Sequence, residues 1–242
     1  MACQSILILT HHKAASTLLR RILLASPDPR YKVVDYAGTF WKTPEEQKSW
    51  SSVYEKLNED PGRFFKATEH IYGPLRDAVD IDPMGFRRVI IARDPVRTLE
   101  SEYVSFAHTH PEPEGGKARA AFMERRETMK ALTADEYALE AMPRLFKRFT
   151  ELHEVSDGAL ILPYEMLIRH RKDTIRRYHR FAGIRVPVAL TLATIALLEM
   201  KPSVAVHRSR DTNFANVKLT PAVREEIEAK FAPVSSIYLG SE

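Results

Sequence analysis

A single cysteine, Cys3, stands in 242 residues. One thiol forms no internal bridge and excludes a multi-cysteine metal site; no other ligand cluster stands out in the sequence, and no metal is expected. No apolar run approaches the roughly 18 residues needed to cross a bilayer, which excludes a membrane span. The stretch 1–10 is apolar for only a few residues. It lacks a basic leader and a small-residue cleavage site, so it reads as a first strand, and a cytoplasmic location is expected. Glycine is scarce, at nine residues, and the phosphate loop GxxxxGK[ST] occurs nowhere in the chain, which disfavours an ordinary ATPase or GTPase. No RNA-binding aromatic motif and no helix-turn-helix pattern is present, and the basic residues are spread along the chain. No nucleic-acid partner is expected. The net charge of +4 fits either a solvated basic surface or a site for an anion.

What the chain does carry is alternation. With 44% apolar and 28% charged residues, it suits one α/β domain over residues 1–242. Short apolar runs at Ser5–Leu9, Tyr31–Asp35, Arg63–Lys66, Arg88–Ala92 and Ala159–Leu162 read as strands. Each is followed by helix-like sequence, which predicts a parallel sheet flanked by helices on both faces. Leu18, Leu19, Ile22 and Leu23 share one side of the first helix. His110–Lys117 reads as a loop from its proline and glycine content. Further helices are predicted over Ala118–Leu132, Ala134–Leu152, Arg169–Ala182 and Pro187–Met200. Lys201–Leu219 lacks periodicity, and Pro221 opens a last helix with Thr220 as its cap.

Two strand–loop–helix junctions carry charge. In SILILTHHKAASTLL, the residues His11 to Thr17 fall between a strand end and a helix start. A helix N-terminus offers free N–H groups and a partial positive charge, which suits an anion. Lys13 adds a full charge, Ser16 and Thr17 add hydroxyls, and the small Ala14 and Ala15 let a ligand approach the backbone. A serine or threonine here is equally an ordinary helix cap. In RRVIIARDPVRTLESEYVSF, Arg93 ends a strand, Asp94 caps the next helix and Pro95 suits its first turn. Ser101 follows Arg93 by a little over two turns and Arg97 by one, so a guanidinium and a hydroxyl would converge on an anion. The competing reading is an Arg–Asp surface pair and a buried serine.

Together these segments resemble the sulfotransferase superfamily, whose members use 3′-phosphoadenosine 5′-phosphosulfate (PAPS). HHKAASTLL is similar to that family's 5′-phosphosulfate loop, often written PKSGTTW. Lys13 matches the loop lysine, Ser16 and Thr17 match its hydroxyl residues, and Ala15 replaces the usual glycine. ARDPVRTLESEY resembles the 3′-phosphate motif, with Arg93 and Ser101 at the phosphate-holding positions. LPYEML resembles the segment that places a tyrosine, here Tyr164, near the adenine. VHRSRDTNFANVKLT resembles the late loop that closes over the nucleotide, with Arg208 and then Arg210 as its candidates. The four motifs occur in the family's order over about residues 5–232. The resemblance implies an α/β fold with a P-loop-like parallel β-sheet, PAPS as cosubstrate, and a small-molecule or carbohydrate acceptor.

In-line sulfuryl transfer needs charge stabilised on the leaving phosphate oxygen. The resemblance gives that task to Lys13, with Lys66 second. It also implies a general base, a histidine after the third strand or a carboxylate after the second. Asp35 is the preferred candidate, with Glu69 and His70 as alternatives. His11 and His12 more often pack or face solvent than react in such a position. A P-loop-class kinase and a non-catalytic nucleotide-binding protein with the same fold stand as the rival readings.

Overall fold

The computed structural model describes residues 3–26, 28–34, 50–110, 112, 116–199 and 217–239. Its strands are β1 (Ile6–Thr10), β2 (Lys32–Val34), β3 (His70–Leu75), β4 (Arg87–Ile91) and β5 (Leu160–Ile161). All pairings are parallel, in the order β2-β3-β1-β4-β5. The main helices are α1 (Ser16–Leu24), α2 (Trp50–Glu59), α3 (Pro95–Val104), α4 (Gly116–Lys130), α5 (Ala134–Glu154), α6 (Tyr164–Arg169), α7 (Arg171–Ala182), α8 (Val188–Glu199), α9 (Pro221–Phe231) and α10 (Ser236–Leu239).

Side chains alternate across the sheet because the strand period is two. Ile6, Ile8, Val89 and Ile91 face a core shared with α1, α6, α7 and α8. Leu7, Leu9, Ile90 and Ala92 face a second core shared with α2, α3, α5, α9 and α10. The predicted two-sided α/β architecture is therefore the observed one. Among the described residues no helix is long and apolar enough to cross a membrane.

β1 and β4 lie side by side, with Thr10 level with Ile91. The chain leaves β1 toward β2 on one flank and leaves β4 toward β5 on the other. The crevice between them is thus a topological switch point, where open parallel sheets bind ligands beyond their carboxyl ends. α1 and α3, on opposite faces, both start there.

The third predicted strand is a correction. Arg63–Lys66 does not extend: Asp60 accepts a hydrogen bond from the Arg63 N–H, Pro61 sits at the first helical position, and Pro61–Phe64 forms a helical turn. The strand is His70–Leu75 instead. Smaller differences follow. The helix expected over Arg169–Ala182 runs from Arg171 to Ala182, and a further helix, Tyr164–Arg169, precedes it. Thr220 precedes α9 without capping it; its N–H and hydroxyl bind Asp135 at 3.0 and 2.7 Å.

Candidate functional site

The loop after β1 turns sharply. Lys13 and Ala15 both hold left-handed backbone, with φ of 64° and 60°. A non-glycine residue there costs about 1–2 kcal/mol. Leu18, Leu19, Ile22 and Leu23 of α1 are buried, and at about 1.5–3 kcal/mol each their packing outweighs that cost. Ala14 is fully buried, which explains its size. Ala15 stands at the cap of α1 and contributes no capping side chain. Ser16 and Thr17 are the first residues of that helix.

His11 ties this loop to the next. Its Nε2 accepts the Arg93 backbone N–H at 2.9 Å, and its Nδ1 lies 2.7 Å from the His12 carbonyl oxygen. Accepting at one nitrogen and donating from the other requires the neutral Nδ1–H tautomer. Burial, with the nearby Arg148 cation, lowers the ring's pKa to about 3 against the bond to His12, so the ring stays neutral.

After β4 the chain follows helix-start rules closely. The Asp94 carboxylate accepts the Arg97 N–H at 2.8 Å, and Pro95 opens α3. The Arg93 guanidinium lies 4.6 Å from the centre of the Tyr164 ring. One of its terminal nitrogens reaches the Lys13 carbonyl at 3.5 Å, while its buried Nε has no hydrogen-bond partner among the described residues. Tyr164 is held by its own N–H on the Ala92 carbonyl at 2.9 Å. Ser101 is half-buried on α3. Arg97 does not join this group; it is exposed and pairs with Glu100 at 3.4 Å.

Lys13 donates to the Ser105 hydroxyl at 2.5 Å. Burial brings its pKa down to about 8, the Arg76 and Arg93 cations adding to the effect and Glu102 opposing it. Glu102 is fully buried. It accepts from His12 Nδ1 at 3.0 Å, the Tyr137 hydroxyl at 3.0 Å and Arg144 at 2.7 Å. Burial would raise this carboxyl, but the hydrogen bonds from His12 and Arg144 and the charge of Arg144 outweigh it and hold it below the usual carboxylate range. The His12 ring stacks on Phe106, centres 5.1 Å apart and planes 11° from parallel. From α5, Arg148 donates through two nitrogens to the Thr10 carbonyl at 3.0 Å, and to the Leu75 carbonyl at 3.2 Å.

The structure therefore brings Lys13, Ala14, Ala15, Arg93 and Tyr164 to one edge, with Ser101 on the helix that starts there. It does not bring Lys66 and His70 to them. His70 begins β3 opposite Lys32, and Ile71 is level with Ile6, so His70 and the preceding Glu69 lie at the amino edge of the sheet. Lys66 precedes β3, is exposed, and donates to the Gly62 carbonyl at 2.8 Å. Asp35, Arg208 and Arg210 lie outside the described residues. His11 and His12, weighed in the sequence mainly as packing or solvated residues, lie at this edge. Three residues the sequence reading did not single out join them: Glu102, Arg148 and Arg76, which follows the carboxyl end of β3. A carboxylate between Leu99 and Tyr103 on a core-facing helix was the one readable hint among them. Among the described residues no cluster of three metal-ligating side chains occurs.

No protein-family model matches the sequence, and no curated protein matches it. Solved structures do. The crystal structure of mouse sulfotransferase SULT7A1 complexed with PAP matches with a TM-score of 0.54 at 14% identity, over 96% of this chain and 84% of that one. Retinol dehydratase with androsterone and the inactive cofactor PAP matches at 13% identity and a TM-score of 0.45, over 98% and 82% of the two chains. Its complex with retinol and PAP gives 11% identity and 0.42, over 98% and 83%. The chain has the α/β fold of the mouse sulfotransferase.

Proposed function

We propose that this protein transfers a sulfuryl group from PAPS to a hydroxyl or amine of a small-molecule or carbohydrate acceptor. The observation that carries the reading is the pairing of two cationic loops at the β1/β4 switch point. One presents Lys13 beside a helix start whose cap position offers no side-chain oxygen. The other presents Arg93, whose buried Nε has no described partner. A nucleotide with phosphates at both 5′ and 3′ positions supplies an anion to each. The neighbouring fold, in a sulfotransferase crystallised with PAP, agrees with this reading.

In this reading Lys13 faces the 5′ side and stabilises charge on the leaving phosphate oxygen. The N–H groups at the start of α1, with Ser16 and Thr17, hold the same phosphate. Arg93 and Ser101 hold the 3′-phosphate, and Tyr164 borders the base. Arg208 and Arg210 are proposed to complete the nucleotide site from the late loop.

Binding to the native state alone raises the unfolding temperature. Adenosine 3′,5′-bisphosphate (PAP) is expected to raise it more than AMP or ATP does, and radiolabelled PAPS should lose its sulfuryl group to an acceptor drawn from a panel of phenols, alcohols and sugars. Equal shifts with AMP would remove the 3′-phosphate site. Binding of PAP without any transfer would leave a nucleotide-binding protein.

A further inference from the structure

We propose that His12, oriented by Glu102, is the general base that takes the acceptor's proton, an inference that rests on the sulfotransferase reading above. Lys13, the residue assigned to the leaving-group side, and His12 pack on the same ring, with the Lys13 ammonium 5.6 Å and the His12 ring centre 5.1 Å from the centre of Phe106, so in this reading His12 flanks the place where the transferred group sits. Its Nδ1 meets a carboxylate oxygen of Glu102 at 3.0 Å. A carboxylate only accepts, so the proton of the neutral ring resides on Nδ1 and the lone pair on Nε2. No described residue bonds that Nε2. The side chain is 26% exposed, whereas Glu102 is sealed beneath it. The stack on Phe106 fixes the plane of the ring. Tyr137 and Arg144 grip the other oxygen of Glu102, so the carboxylate itself cannot swing away.

The surroundings keep this base unprotonated. Burial lowers the His12 pKa, the Lys13 and Arg76 cations push the same way, and the bond and charge of Glu102 oppose them. His11 is a neutral neighbour, and Arg144 and Tyr137 reach His12 only through Glu102. A neutral imidazole with one nitrogen free is what proton abstraction requires. His70 lacks this setting: it lies at the other edge, with Nδ1 on the Thr68 carbonyl.

The step balances without a further reactant. The acceptor oxygen forms a bond to sulfur while the bond between sulfur and the 5′-phosphate oxygen breaks. The acceptor's proton moves to His12 Nε2, and PAP leaves with the electron pair, its new charge met by Lys13. The imidazolium then loses its proton to solvent. Glu102 touches no reacting atom and acts as a positioning residue.

The test combines binding, transfer and ring protonation. His12→Ala should bind PAP within about threefold of the unsubstituted protein by calorimetry. It should lose roughly 10²–10⁴-fold in turnover of PAPS, measured with an acceptor or with water as acceptor, and added imidazole should restore part of the loss. Glu102→Gln should lose less and move the acid limb of the kcat/KM profile to lower pH. Nitrogen NMR of the unsubstituted protein should show His12 protonated at Nδ1 and bare at Nε2, a readout that does not require the variants to fold. Undiminished turnover in His12→Ala, or a proton on Nε2, overturns the assignment while leaving the sulfotransferase reading intact. An unsubstituted protein that binds no PAP and consumes no PAPS overturns both.

Discussion

α1 and α3 start at the same edge of the sheet and start differently. α3 is closed by its own residues: Asp94 takes up the Arg97 N–H, and Pro95 has no N–H to offer. α1 begins after a left-handed alanine that supplies no capping oxygen. A helix start that is satisfied internally serves packing, and any anion beside it must be held by side chains. A helix start without a cap leaves backbone donors for a ligand. On the proposed reading, the first junction is therefore a site made of main chain plus Lys13, and the second a site made of Arg93 and Ser101.

His11 joins the two, and its titration is the largest expected effect. Its native pKa, about 3, lies below the ordinary value of 6.5. Between those values the unfolded chain binds the extra proton, so the contribution of His11 to stability is full above about pH 6.5 and falls as pH drops, by up to about 1.4 kcal/mol per unit. Denaturant unfolding at pH 7, 6 and 5 should show a slope that includes this contribution, and His11→Asn should reduce it. A slope shared unchanged by the variant would deny His11 its linking role.

Arg93→Ala should cost roughly tenfold to a hundredfold in PAP affinity by calorimetry, because a hydrogen bond to a charged group contributes about 1.5–3 kcal/mol. Ser101→Ala should cost less. Unchanged affinity in the arginine variant would show that the second junction does not depend on side chains. The first junction answers to pH instead. As Lys13 loses its proton above about pH 8, affinity for PAP should fall by up to about tenfold per unit. Calorimetry in buffers of different ionisation enthalpy should then register proton uptake on binding.

The two helix starts separate most cleanly in a pair of stability variants. Asp94→Ala removes a working cap and should cost about 1 kcal/mol in chemical unfolding, with no loss of PAP affinity. Ala15→Gly relieves left-handed backbone at an entropic cost and should stabilise by about 0.5 kcal/mol. A destabilised Ala15→Gly would mean that the alanine methyl contributes more in packing than the backbone loses.

β1 and β4 were legible to within one residue, because each is a compact apolar run with a charged junction behind it. β3 was hidden by its own punctuation. A Gly–Pro pair is the usual punctuation of a turn, yet Gly73 lies inside the strand with φ of 131°, and a side-chain carbon there would come within 2.6 Å of the Ile8 carbonyl oxygen. The neighbouring Phe64 and Phe65 looked more like a strand than the strand did. That displacement carried Lys66 and His70 to the wrong edge. The placement of Lys13 and Arg93 at the carboxyl edge was readable because position along a strand–helix junction is a local property. His11, Glu102 and Arg148 were not, since their partners lie 82, 90 and 138 residues away in sequence.

Arg148 has a consequence for what the edge can hold. Parallel strands end in carbonyl oxygens, and a row of them is a poor floor for a polyanion. The guanidinium of Arg148 covers the last carbonyls of β1 and β3 together, using its planar fork to meet both. It offsets the negative ends of those carbonyl dipoles. On the proposed reading, a ligand's charge then meets Lys13 and Arg93 with less opposition from the backbone beneath them.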